Sequence, residues 1–338
     1  MRAAVLTGFG GPDKLVLRDD VPIPVPAAGE VRIRVTACGI NNTDIWTRVG
    51  AYGSSSGNNS PVGPKRTSIR FPRIQGADIV GVVDQPDPGS DGGALVRGSR
   101  VLVDPTIYPT GGSVMNSDFL GSDRDGGFAE FVVVPSANVH LIDSPLSDAE
   151  LASFPVAYST AIQMLDTVRL RAGERLVVTG ATGGVGSALV QLGALAGAEV
   201  AAITRRSDAT PWLRSLGAFS VSATAPSPGS MDVVADVVGG ALLSPLLDSL
   251  RSGGRYVIAG AIGDYAGTLD LRTMYLNYLT LVGTSLATHE NFRRLVSLIE
   301  AGRLRPLVDR VFPLEMLREA QAAFESKEFL GKLVMILE

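Results

Sequence analysis

Two stretches of the 338-residue chain carry residue types that could do chemistry. In the first, "RLVVTGATGGVG" at 175–186, an apolar run feeds a glycine-rich turn, and Val185, Leu189 and Leu192 then share one helical face. A strand before, a helix after and a second strand ending near Thr204 form the setting of a dinucleotide-binding turn, not an isolated glycine pattern. Gly183 lets the backbone approach a pyrophosphate, and Gly186 lets the helix close on the strand. The first helical amides (Gly184, Val185, Gly186) and the positive end of the helix dipole suit phosphate oxygens. Ala181 stands where the fingerprint has its first glycine, which costs little if φ there is negative. The candidate phosphate-binding segment is therefore Ala181, Thr182, Gly183, Gly184, Val185 and Gly186. About 20 residues on, an NAD site places an acid for the ribose 2′-hydroxyl. This chain has Thr204, Arg205 and Arg206 instead, two guanidinium groups suited to a 2′-phosphate. The pattern predicts NADPH.

The second stretch is "ACGINNTDIWTRVGAY" at 37–52. It holds the single cysteine, Cys38, and neither His140 nor His289 has a histidine or cysteine at ligand spacing. No protein-held zinc site is expected. Asn41, Thr43 and Tyr52 supply amide and hydroxyl donors, and a phenol donates while neutral at pH 7. Each also has a structural reading: Asn41 and Thr43 as caps of the turn, Tyr52 as packing at a loop base. Asp44 is expected to bind backbone, Cys38 to be a small buried apolar residue, and His289 with Glu290 to form a solvated first turn.

The elements that must position these residues fall into two textures. As far as about Val134, short alternating runs such as "EVRIRVTACGI" and "GFAEFVVVP" are punctuated by Gly and Pro, as in an irregular β-rich domain. Residues 54–68 and 106–125 read as long loops. From Ser147 the texture turns helical, with Glu150 at the capping-box position. The runs "MDVVADVVGG", "GRYVIAGAIG" and "LTLVGTSLAT" then suit a parallel sheet covered on both faces. After Thr288, Phe292, Leu295, Val296 and Ile299 share a helical face that stops at Gly302. The fold class is α/β. A net charge of −4 with no basic block argues against nucleic acid, and no apolar run approaches membrane-spanning length. The start of the chain reaches Gly8 too quickly for a signal-peptide core, so a cytoplasmic protein is expected.

Taken together, "ACGINNTDI", "GADIVG", "DGGFAEFVVVP", "TGATGGVG", "DVVGG" and "GKLVMIL" resemble the medium-chain dehydrogenase/reductase superfamily, within it the zinc-free quinone oxidoreductase and 2-enoyl reductase branch. The resemblance spans nearly the whole chain. It implies a GroES-like β-rich catalytic domain (1–138 with 306–338) and a Rossmann doubly wound parallel sheet (139–305). Asn41 stands where zinc-dependent members carry their first ligand cysteine. Gly76-Ala77-Asp78 replaces their Gly-His-Glu, and 108–125 lacks the cysteines of their structural lobe. The spacing from Asn41 through Gly50 to Tyr52 is similar to that of 2-enoyl thioester reductases and also to that of quinone oxidoreductases. The implied chemistry is NADPH-dependent hydride delivery to an enone, enoyl thioester or quinone, with Tyr52 as donor and Asn41 and Thr43 facing the nicotinamide or substrate carbonyl. For the cofactor, Thr160 would lie near the nicotinamide, Gly239, Gly260, Ala261 and Ile262 on loops at strand ends, and Lys332 near the pyrophosphate. A small-molecule substrate and a homodimer joined near 279–285 are implied. A zinc-free ketone or alcohol oxidoreductase and a non-catalytic NADPH-binding protein remain alternatives.

Overall fold

The computed structural model describes residues 1–52, 69–89, 95–109 and 114–337. The expected 54–68 loop lies outside the described residues. Two compact units are present, Met1–Val156 with Thr288–Glu338, and Ala157–Ala287.

The first unit is built on β1 (Glu30–Gly39), whose Val31, Ile33 and Val35 are buried while Arg34 between them is exposed. This alternation is what a strand with one wet face requires. Helix α1 (Asn42–Val49) follows at once, and Gly50 ends it in the left-handed conformation (φ 76°) that favours glycine. Strand β2 (Asp78–Gln85) runs antiparallel to β1, with Asp78 opposite Gly39, and β3 (Arg100–Val103) continues the sheet. Within 106–125 the structure has more order than a loop: Thr106–Ile107 pairs with Asp118–Phe119.

The second unit is a six-stranded parallel sheet. Its strands are β4 (Arg175–Val178), β5 (Glu199–Ile203), β6 (Ala218–Ser222), β7 (Met231–Asp236), β8 (Leu250–Ile258) and β9 (Thr280–Gly283), in the order β6-β5-β4-β7-β8-β9. Helix α2 (Gly184–Leu195) follows β4. The strand order reverses between β4 and β7, the position where open α/β sheets bind ligands at their carboxyl ends. The fold is the anticipated α/β class, with a Rossmann parallel sheet.

The chain then returns to the first unit through α3 (His289–Glu300), β10 (Val308–Pro313), α4 (Leu317–Ser326) and β11 (Lys332–Ile336). Strand β11 pairs antiparallel with β1 and parallel with β10, completing a seven-stranded sheet. The buried face of α3 is the expected one: Phe292, Leu295, Val296 and Ile299. Each such side chain contributes about 1.5–3 kcal/mol on burial. The unit boundaries differ from the expected 139 and 305. Val139–Leu141 pairs with β3, and α3 belongs to the first unit, where Glu300 accepts the Asp143 N–H at 3.0 Å. His289 is also more than a solvated first turn, because its Nδ1 lies 2.6 Å from the buried Asp104 carboxylate.

Candidate active site

Helix α1 begins at a residue that does several jobs. The Asp44 carboxylate accepts the Asn41 N–H at 2.8 Å and the Gly76 N–H at 3.2 Å, so Asp44 binds backbone as expected. Burial pushes its carboxyl up to about 7. Asn41 is the N-cap of α1 and forms a capping box with Asp44, and its carboxamide also reaches beyond the turn. Its Nδ2 donates to Asp78 Oδ2 at 2.8 Å, and its Oδ1 accepts from Lys332 Nζ at 2.6 Å. Glycine at 39 permits this approach, since a side-chain carbon there would sit 2.7 Å from Asp78 Oδ2 and 2.4 Å from the Ala152 carbonyl oxygen.

At the other end of α1, Tyr52 packs edge-on to Trp46, ring centroids 5.6 Å apart, and its hydroxyl is hydrogen-bonded to Thr43. Burial pushes the Tyr52 phenol up to about 12, so it holds its proton at neutral pH. Asn41, Thr43 and Tyr52 are therefore arranged on one short helix and the turn that ends it.

Lys332, expected near the pyrophosphate, lies in the interior of the first unit. It is buried at the start of β11, and its ammonium group donates to Ile40 O (2.7 Å), Asn41 Oδ1 (2.6 Å) and Asp78 Oδ2 (2.7 Å). An ammonium group has three N–H bonds, and these three acceptors use them all. Lys332 is thus a central post of the first unit.

The second unit collects the remaining residues at one end of its sheet. The positive φ of the glycine turn falls on Gly180 (φ 56°), not on Ala181, so alanine is accommodated there. Gly186 is pressed against the preceding turn, as close helix–strand packing needs. At Gly183 a side-chain carbon would find its nearest protein atom 3.4 Å away. Gly183 caps α2 with no side-chain hydrogen bond. The first amides of a 12-residue helix thus remain for a ligand, and the cradle fits a dinucleotide phosphate. Thr204 is buried and Arg205 exposed, while Arg206 holds Asp208 through two hydrogen bonds of 3.3 and 2.7 Å. Gly239, Gly260, Ala261 and Ile262 follow β7 and β8, and Thr160 is half-buried in the helix Pro155–Thr167.

Two buried networks escaped sequence reasoning. Asp236, at the end of β7, accepts from Thr179 Oγ1, Val238 N, Gly239 N and Tyr256 Oη, and so ties the start of the loop after β4 and the loop after β7 to strand β8. Arg48 is almost wholly buried and donates to Gln321, the Gly10 carbonyl and Glu325, while Gln321 bonds Gln75 and Gln75 bonds the Asp44 carbonyl. The "DVVGG" run flags Asp236 only as a strand end. Nothing local flags Arg48, whose partners lie 273 and 277 residues away. Among the described residues no cluster of three or more His, Cys, Asp or Glu could hold a metal, and no helix is long and apolar enough to cross a membrane.

Comparison with known proteins agrees with this geometry. Residues 27–144 match the family profile "Alcohol dehydrogenase GroES-like domain", and 196–335 match "Zinc-binding dehydrogenase". Quinone oxidoreductase of Mus musculus is 26% identical over 100% of this chain and 98% of that protein. The crystal structure of a putative alcohol dehydrogenase from Sinorhizobium meliloti 1021 is 44% identical, with a TM-score of 0.93 over 100% of this chain and 97% of that one. A cobalt- and zinc-bound thermostable alcohol dehydrogenase from Pyrobaculum aerophilum is 33% identical, with a TM-score of 0.86 over 99% of both chains.

Proposed function

The chain belongs to the medium-chain dehydrogenase/reductase superfamily, in its quinone oxidoreductase branch, and is an oxidoreductase; from that premise we propose a zinc-independent, NADPH-dependent enzyme that delivers hydride to an activated C=C bond, in an enone or enoyl thioester, or to a quinone. The observation that carries the reading is the closed triangle of Asn41, Asp78 and Lys332. The cation paired with these acceptors is the chain's own ammonium group, which leaves hydrogen-bond donors to polarise a substrate carbonyl.

Conjugate reduction asks no more than that. NADPH, when bound, supplies hydride to the β-carbon, and the displaced electron pair moves to the carbonyl oxygen. Asn41 Nδ2 and the Thr43 and Tyr52 hydroxyls are neutral donors suited to that oxygen. The Tyr52 phenol, still protonated at pH 7, can return the proton that completes the reduction. The run Ile203-Thr204-Arg205-Arg206-Ser207 at the end of β5 holds no acid, and with exposed Arg205 this supports NADPH over NADH.

The 44% identical neighbour, described as a putative alcohol dehydrogenase, favours a second reading: a ketone or alcohol oxidoreductase on the same residues. Oxidation of NADPH with quinone, enone, enoyl thioester and ketone panels, together with zinc analysis of the purified protein, decides between them. Turnover of the first three without stoichiometric zinc is expected. Ketone-only turnover, or one zinc per chain, would select the second reading. Tight NADPH binding with no turnover on any acceptor would mean a non-catalytic binding protein.

A homodimer through the second unit is also proposed. Strand β9 is the outer strand of its sheet, and just before it in the chain Leu271, Tyr275, Leu276 and Tyr278 are each more than 60% exposed. Light scattering reading a mass near twice 35.3 kDa is the expected result.

A further inference from the structure

Lys332, Asn41 and Asp78 bond one another in all three pairings, and the arrangement settles how Asn41 is presented. The groups at its two ends are one-way. The Lys332 ammonium group can only donate, and it faces Oδ1 at 2.6 Å. An Asp78 carboxylate can only accept, and it faces Nδ2 at 2.8 Å. Turning the carboxamide over would set NH₂ against ammonium and C=O against carboxylate, two repulsive contacts in a buried site.

The other polar atoms of Asp78 and Lys332, and the Asn41 backbone N–H, are also committed. Asp78 Oδ1 accepts the Val156 N–H at 2.6 Å, Lys332 has no N–H left, and the Asn41 backbone N–H is held by Asp44. Asn41 keeps one Nδ2 hydrogen whose nearest partner, the Gly39 carbonyl oxygen, is 3.5 Å away, at the weak limit of a hydrogen bond. That hydrogen is what Asn41 has to offer beside the Thr43 and Tyr52 hydroxyls, and Lys332 and Asp78 together set where it points.

We infer that Lys332 is a positioning residue: its ammonium group, paired with Asp78, locks the Asn41 carboxamide so that one Nδ2 hydrogen is presented to the reacting carbonyl, and it makes no contact with the cofactor phosphates. This rests on the proposed reading of Asn41 as a donor in hydride transfer. Lys332 then acts on turnover through Asn41, not on cofactor affinity.

The test has one arm that needs no turnover. The chain's lysines are Lys14, Lys65, Lys327 and Lys332, so selective ¹⁵N-lysine labelling gives a sparse ammonium spectrum. A slowly exchanging Lys332 signal that stays in place when NADPH saturates the full-length protein is expected. A shift of that signal on NADPH binding, or its absence, would overturn the assignment. In the kinetic arm, Lys332→Met should lower kcat about 10- to 100-fold, the scale of a misplaced donor, while the NADPH dissociation constant stays within about 2-fold. Introduced into Asn41→Ala, Lys332→Met should add nothing, because the group it positions has gone. Lys332→Arg keeps the charge without the tripod geometry and should recover only part of the rate. Additive losses, or about a 10-fold weaker NADPH complex, would overturn the inference and leave the proposed function standing. Full turnover in Asn41→Ala would instead sink the donor reading itself.

Discussion

Gly186 lies against Gly180 so closely that a side-chain carbon would sit 2.1 Å from the Gly180 carbonyl oxygen. Gly183, one turn earlier, has no such neighbour. The two glycines of one fingerprint therefore differ, with packing at 186 and, in the proposed function, ligand approach at 183. Gly186→Ala should destabilise the protein by about 1–3 kcal/mol, seen as a lower urea midpoint. Gly183→Ala should leave that midpoint within ~0.5 kcal/mol yet weaken NADPH at least about 10-fold. Equal destabilisation by both changes would remove the distinction.

Arg206 is not idle in the ligand-free chain, because Asp208 occupies its fork. A 2′-phosphate would have to displace that carboxylate. Asp208→Asn should therefore tighten NADPH a few-fold and leave NADH unchanged. Arg205→Ala with Arg206→Ala should weaken NADPH about 100-fold and NADH less than about 3-fold. Isothermal titration with both nucleotides reads the difference, and parallel losses would discard the 2′-phosphate assignment.

Tyr52→Phe removes the phenol and its bond to Thr43 while keeping the edge-on ring against Trp46. Turnover should fall at least about 10-fold with little change in NADPH affinity. Since the phenol is pushed up to about 12, no loss of rate from Tyr52 ionisation is expected between pH 6 and 9. Unchanged kcat in the variant would give the proton to water or Thr43.

His140 makes stability pH-dependent. Burial pushes its imidazole down to about 4, and its Nε2 is buried without a partner among the described residues. The folded value lies below the unfolded value of about 6.5, so the unfolded chain binds the proton first. The stability contribution is complete above about pH 6.5 and is lost as pH falls through about 4. Asp44, pushed up to about 7, works in the opposite sense: its contribution is complete below the usual carboxylate range and is lost as pH rises through about 7. The useful comparison is therefore with His140→Phe, which keeps a ring beside Phe292. The variant should lose less melting temperature between pH 7.5 and 4.5 than the parent. Identical losses would clear His140 of the effect.

Asp104 holds both His289 Nδ1 at 2.6 Å and the Thr106 N–H at 3.0 Å. Asp104→Ala strands both and should cost about 2–4 kcal/mol in urea unfolding. If His289→Ala in that background costs as much as it does alone, the two residues are not coupled.

The residues that were legible in the sequence are those whose partners are near in the chain. The Ser147–Glu150 capping box, the buried face of α3 and the glycine turn all follow from spacings of a few residues. The bond of His289 is not legible because its partner is 185 residues away, nor are those of Lys332, whose partners are 254 to 292 residues away. The unit boundaries failed for a related reason. The periodicity of α3 identifies its apolar face but is silent on which unit that face meets. Asn41 and Tyr52 are legible from their types and spacing as the donors the proposed function uses. The groups that aim Asn41 were not, since they assemble only across β1, β2 and β11.

The interrupted first unit also has a consequence for the order of folding. Asn41 and Lys332 are joined across 291 residues, and the whole of Ala157–Ala287 is made between them. During synthesis at about 5–20 residues per second, the β1 edge that β11 will cover waits on the order of ten seconds or more for its neighbour. Over that interval the second unit, being continuous in sequence, can fold as it emerges. The first unit's sheet closes last, and the locked carboxamide at its centre forms only when the late strand arrives.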